Sequence, residues 1–136
     1  MNFVYIINLI LLKALQYNVP RGKKNRGLAT VTAFKILAPR EDHTDDKLKL
    51  AHYLGWCVEM VQSVFLILDD IMDGSETRRG QPCWYKLNDV GLMAINDGLM
   101  IENCIYHILK KHFSNEDYYV KLIELFHEVR YYIFLN

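Results

Sequence analysis

Val64-Phe65-Leu66-Ile67-Leu68-Asp69-Asp70-Ile71-Met72-Asp73 runs five apolar side chains directly into a group of three carboxylates. Upstream, Leu50, Leu54, Cys57/Val58, Val61, Val64/Phe65 and Leu68 recur every three to four residues, and between Lys47 and Asp73 only Gly55 interrupts. That period predicts one long, largely buried helix over 47–73. On such a helix Asp69 and Asp73 are stacked i,i+4 neighbours, with Asp70 about 100° round the same end. An exposed like-charge pair at this spacing costs only about 0.2–0.5 kcal/mol, but the cost climbs as water is withdrawn. An oily segment that carries acids toward the interior therefore calls for a cation beside them.

The residues that follow name the kind of cation and its companion. Gly74-Ser75-Glu76-Thr77-Arg78-Arg79-Gly80 brings two arginines within a short loop of the acids. Mg²⁺ binds through one or two carboxylates, keeps several waters and completes its shell with phosphate oxygens. Guanidinium groups bind phosphate bidentately, and a neighbouring glycine lets the backbone approach. Asp69, Asp70, Asp73, Arg78 and Arg79 are thus a candidate Mg²⁺-diphosphate site. The competing reading is an acidic helix end with a basic loop in surface ion pairs, worth about 0–1 kcal/mol each.

The chain has 136 residues, 51% of them hydrophobic, with nine tyrosines and six phenylalanines, so an aromatic-rich core fits and disorder does not. Sixteen basic residues balance sixteen acidic ones, which leaves no general field for nucleic acid or for an acidic membrane surface. Cys57, Cys83 and Cys104 are odd in number and contain no C-x-x-C pair. They point to a reducing, cytoplasmic compartment without structural zinc or a disulfide framework. Phe3 to Leu12 is short for a bilayer span. It resembles a signal-peptide core, but only Met1 and Asn2 precede it and neither is basic, so a core helix is the preferred reading over secretion.

Turn signals divide the rest. A helix over 3–16 should stop before Asn18-Val19-Pro20, because the residue preceding proline is pushed out of the α region. A second, around Leu28, Val31, Ala33 and Phe34 to Leu37, should close at Pro39. Thr44-Asp45-Asp46 reads as an N-cap with first-turn acids, a capping role and not a second catalytic pair. A helix over 89–111 is expected around Met93, Ile95, Leu99, Ile101, Ile105 and Leu109. A last one should start at a Ser114 or Asn115 cap and run through Leu122, Leu125, Phe126 and Val129. No strand pattern or internal repeat is evident, and the fold class is all-α.

Arg21-Gly22-Lys23-Lys24-Asn25-Arg26-Gly27 then sets four cations in a glycine-flanked loop ahead of a helix N-terminus, a place suited to a second phosphate. A solvated basic turn is the plain alternative. Taken in order, GKKNRG, QSVFLILDDIMD, TRRGQPCWY, AINDG and Leu122-Ile123-Glu124-Leu125-Phe126 closely resemble the amino-terminal half of the farnesyl diphosphate synthase family, the short-chain trans-prenyltransferases. The resemblance runs from Tyr17 to Val129. It implies an isoprenoid synthase fold, here as a truncated helical bundle. It also implies condensation of an allylic diphosphate, dimethylallyl or geranyl, with isopentenyl diphosphate to give geranyl or farnesyl diphosphate. By the same resemblance Asp69, Asp70 and Asp73 chelate Mg²⁺ on the allylic diphosphate and Arg78 clamps it. Gly22, Lys23, Arg26, Gln62 and Arg79 form the isopentenyl diphosphate pocket. Val64 and Phe65 form the floor that limits product length, and Val64 is smaller than the aromatic residue common there in family members that make farnesyl diphosphate. A homodimer is implied as well.

Family members carry a second aspartate-rich motif and further lysines in a carboxyl half, which the 136 residues do not contain. The expectation is therefore the amino-terminal part of a single polyprenyl synthase domain over 1–136, with negligible turnover by itself. Two other readings compete. A terpene synthase of the same fold would use the same acids but has no need of the Gly22 to Arg26 loop. A non-catalytic fragment would bind diphosphate or dimerise through the helix at 89–111.

Overall fold

The computed structural model describes residues 3–135, with side chains over 9–132; Met1, Asn2 and Asn136, including the two residues read against a leader peptide, lie outside that range. Five helices carry the fold, which is all-α as expected: α1 Phe3–Asn18, α2 Asn25–Leu37, α3 Asp45–Met72, α4 Met93–Phe113 and α5 Tyr119–Leu135. Single 3₁₀ turns occupy Arg40–Asp42 and Trp84–Lys86. None of the described helices is long and apolar enough to cross a membrane.

The long helix α3 has 28 residues and is the axis of the molecule, about 42 Å at 1.5 Å per residue. It begins as its sequence predicts, with Thr44 Oγ1 accepting from Lys47 N at 3.3 Å. It packs between α2 and α4, while α1 and α5 lean on α4. Its inward face contributes Cys57, Met60, Val64 and Ile67; α4 returns Ile101, Ile105, Leu109 and Phe113, all at most 2% exposed. Ala14, Trp84 and Phe126 close the same core.

Three expectations need correction. α4 starts at Met93 and not at Asp89. Asp89 is drawn off in an ion pair with Lys13 of α1, and Gly91 sits at φ +54°, so the chain is still turning until Leu92. In consequence Met93, Ile95 and Leu99 face outward, at 62%, 42% and 44% exposure, and Ala94 takes the inward place. α5 starts at Tyr119: Ser114 ends α4 in right-handed α conformation, and Glu116 N and Tyr119 N close successive turns onto Phe113 O and Glu116 O. There is also a two-stranded antiparallel hairpin, β1 Thr77–Arg78 and β2 Gln81–Pro82, where no strand was expected. Two residues per strand are too few to register as a hydrophobic alternation.

Cys57, Cys83 and Cys104 are free thiols. Burial pushes Cys57 up to about 12. Between the ordinary value of 9.0 and about 12 the folded chain keeps a proton that the unfolded chain releases, so raising pH through that window lowers stability. At pH 8 a disulfide reagent is expected to label Cys57 and Cys83 only after denaturation; rapid labelling of two or more thiols in the native chain would contradict the packing.

Candidate functional site

The acids reach their place because α3 ends on them. Asp73 caps the helix, its N–H donating to Asp69 O at 2.8 Å, and Gly74 follows at φ +64°, the left-handed residue that commonly stops a helix. Ser75 N then donates to Asp70 O at 2.9 Å, which turns the chain back along the helix. Arg79 and Gly80 form the hairpin turn with φ of +56° and +75°, the two positive values a tight two-residue connection requires. Thr77 and Arg78 are thereby folded back over the helix end.

That hairpin is anchored on every side. Cys83 N donates to Glu76 O at 3.0 Å, and Tyr85 Oη to Ser75 O at 2.9 Å. Trp84, 3% exposed, donates Nε1 to the buried carboxylate of Asp97 at 2.8 Å, and Tyr17 Oη donates to Pro82 O at 2.8 Å. Arg78 is held accordingly. Its Nε and Nη2 both donate to Asp70 Oδ1, at 2.9 and 2.5 Å, and Nη2 reaches Asp69 Oδ2 at 3.3 Å. The bond to Asp70 raises the Arg78 pKa, so its charge is permanent. Burial and a hydrogen bond to the same Asp70 carboxylate push the Cys83 thiol up to about 11.

The three acids consequently have different surroundings. The Asp70 side chain is 5% exposed and taken up by Arg78; the Asp69 side chain is half exposed; Asp73 is exposed at the helix end. Among the described residues no three His, Cys, Asp or Glu side chains converge into a ready-made metal cage.

A cleft beneath the hairpin is lined by Ser63 and Asp70 of α3, by Arg78 and Arg79, and by Tyr17 and Arg21 from the facing segment. Gly22 does not line the cleft itself but backs one of its residues: at φ +111°, a Cβ there would stand 2.6 Å from Arg79 Cζ, so the guanidinium lies directly against the glycine. Of the remaining residues expected at an isopentenyl diphosphate pocket, Lys23 and Arg26 are exposed and Gln62 is half-buried on α3, and none of the three lines this cleft. Val64, 6% exposed, and Phe65 line a separate crevice between α3, α4 and α5, together with Phe126 and the Glu102–Arg130 ion pair.

Residues that the sequence reading passed over do much of the positioning. Glu59, 6% exposed, accepts from Gly27 N at 2.8 Å through Oε1. Gly27 and Gly55 meet backbone to backbone, so that a Cβ on either would lie within 2.9 Å of the other's carbonyl oxygen. These contacts fix α2, and the basic loop ahead of it, against α3. An acid and a glycine inside an apolar helical stripe were the available signals.

Comparison with known proteins agrees with this architecture. The family model described as Polyprenyl synthetase matches residues 8–135. Farnesyl pyrophosphate synthase of Helianthus annuus is 56% identical over 119 residues, covering 88% of this chain and 35% of the relative. Farnesyl pyrophosphate synthase of Panax ginseng is 52% identical over the same coverage. The mitochondrial farnesyl pyrophosphate synthase 1 of Arabidopsis thaliana is 54% identical over 117 residues, covering 86% and 30%. The chain spans about a third of the length of the curated relatives it matches. With its five-helix architecture and the all-α isoprenoid synthase fold that the match carries, the chain belongs to the polyprenyl synthetase family.

Proposed function

We propose that this chain provides the diphosphate-binding part of a prenyltransferase site, which condenses dimethylallyl or geranyl diphosphate with isopentenyl diphosphate. The observation that carries the proposal is the Arg78 guanidinium held on Asp70 and Asp69 at the rim of a cleft that also contains Arg79. This is a fixed anion clamp built onto an acidic helix end.

The donor set fits Mg²⁺. Asp69 and Asp73 offer hard oxygen ligands that are half exposed or exposed, while Asp70 is committed to orienting Arg78. When bound there, Mg²⁺ would neutralise charge on a leaving diphosphate. This chain's own contribution is electrostatic: Arg78 is oriented before substrate arrives, so no reorganisation is spent as negative charge builds on the leaving group. Arg79, with Gly22 leaving room for it, and the exposed Lys23 and Arg26 with Gln62 would hold the isopentenyl diphosphate. Val64 and Phe65 would form the floor of the chain-length crevice. The outward apolar residues Met93, Ile95 and Leu99 of α4 support a homodimer. Three free thiols suit a cytoplasmic location, and one relative is labelled mitochondrial.

A terpene synthase of the same fold would have no use for the Gly22 to Arg26 loop, and the contact of Gly22 with Arg79 and of Gly27 with Gly55 and Glu59 supports a use for it here. The test is calorimetry with dimethylallyl diphosphate, with and without Mg²⁺. Asp69→Asn and Asp73→Asn are each expected to weaken Mg²⁺-dependent binding by tenfold or more. Unchanged binding in the double variant would refute the proposal.

A further inference from the structure

Arg21 belongs to the same cleft but has no role in the reading just given. Its guanidinium stacks on the Tyr17 ring, Cζ lying 4.2 Å from the ring centre. Tyr17 is itself tied to the hairpin through its hydrogen bond to Pro82 O. The position of the guanidinium is therefore tied to α1 and the hairpin together. Among the described residues, Arg21 Nη1 is the one buried side-chain nitrogen or oxygen that has no hydrogen-bond partner.

A guanidinium cannot shed its charge, and a buried N–H without an acceptor is costly. The cleft's carboxylate offers no remedy. Asp70, the only carboxylate lining the cleft, is already claimed by Arg78. The next residue along the chain, Gly22, lies against the Arg79 guanidinium. Three arginines and one carboxylate thus share one small concavity, and with Asp69 also paired to Arg78 from the helix end one cationic charge is left over. An anion with several oxygens matches that excess and would give Nη1 its acceptor.

We propose that Arg21 is a diphosphate-binding residue of this site, donating from Nη1 to a phosphate oxygen in the cleft, with Tyr17 as the platform beneath its guanidinium. This rests on the diphosphate reading above and adds a residue to it.

Inorganic pyrophosphate titrated into the 136-residue chain, followed by calorimetry with and without Mg²⁺, tests the assignment. Arg21→Gln is expected to raise the pyrophosphate Kd at least tenfold without lowering the thermal midpoint, and Arg21→Lys to recover part of the loss. A Kd for Arg21→Gln within twofold of the unaltered chain, or a lowered midpoint with unchanged affinity, overturns the proposal. If Arg79→Gln and Asp69→Asn lose affinity while Arg21→Gln does not, this inference alone fails. If the unaltered chain does not bind pyrophosphate, the diphosphate reading fails with it. Should Arg21→Gln not fold, the pyrophosphate-induced rise in the midpoint of Arg21→Lys decides: a smaller rise than in the unaltered chain is expected, and an equal one overturns the assignment.

Discussion

Arg78→Met is expected to lower the unfolding free energy by about 2–3 kcal/mol, because it strands a buried carboxylate. Breaking a fully buried pair typically costs about 3–5 kcal/mol; the lower figure allows for solvent reaching Arg78. That side chain is 37% exposed, whereas the Asp70 side chain it serves is 5% exposed. The uncompensated partner, and not the lost attraction, dominates. A direct consequence separates the two: Asp70→Asn in the Arg78→Met background should restore most of the loss, since no charge then remains buried. A double-mutant cycle by urea unfolding measures this, with a coupling of about 1–3 kcal/mol expected. Asp69→Asn should change stability by no more than about 0.5 kcal/mol, as befits a half-exposed acid in an ion pair at 3.3 Å. If Arg78→Met unfolds at the same urea concentration as the parent, the pair does not hold the hairpin. The same substitution should abolish high-affinity diphosphate binding, which Arg78→Lys would restore only in part, since a point charge does not replace a planar fork.

The parts of this site that could be read without a structure are those with a strong local period or a dense local charge pattern. The span of α3, the placing of Asp69 and Asp73 at its end and the Thr44 cap all follow from three-to-four residue spacing and capping chemistry. The hairpin was invisible, because its conformation depends on positive φ at Arg79, a residue type with no preference for it, and on anchors scattered from Tyr17 to Asp97. Asp89 looked like the start of α4 because the partner that diverts it, Lys13, is 76 residues away. Arg21 counted only as one charge in a basic run; what distinguishes it is the Tyr17 ring beneath it and the absence of an acceptor, both properties of packing. Charge density is local information, whereas which charges lack a counterion is not.

The Gly55 position shows how much depends on such a long-range contact. Alanine in a helix interior ordinarily stabilises relative to glycine by about 1 kcal/mol. At Gly98 of α4 that rule should hold, since the nearest atom to a new Cβ would be Ile67 Cγ2 at 3.9 Å; a gain of about 0.5–1 kcal/mol is expected for Gly98→Ala. At Gly55 the new carbon would stand 2.8 Å from Gly27 O, a backbone atom that can move only if α2 moves with it. Lifting α2 would also pull Gly27 N from Glu59, leaving a buried carboxylate without its donor. Overpacking costs about 1–3 kcal/mol and the lost charged hydrogen bond about 1.5–3, so their sum outweighs the propensity gain. Gly55→Ala should therefore destabilise by about 2–4 kcal/mol, opposite in sign to Gly98→Ala. The displacement also reaches the cleft, because α2 carries the loop whose Gly22 lies against Arg79. Pyrophosphate affinity should fall in Gly55→Ala even at temperatures where the variant remains folded, and stay unchanged in Gly98→Ala. Thermal unfolding and calorimetry on the two variants provide the comparison. A stabilised Gly55→Ala chain with full affinity would mean that α2 is not held against α3 at this crossing, and that the basic loop is positioned by something else.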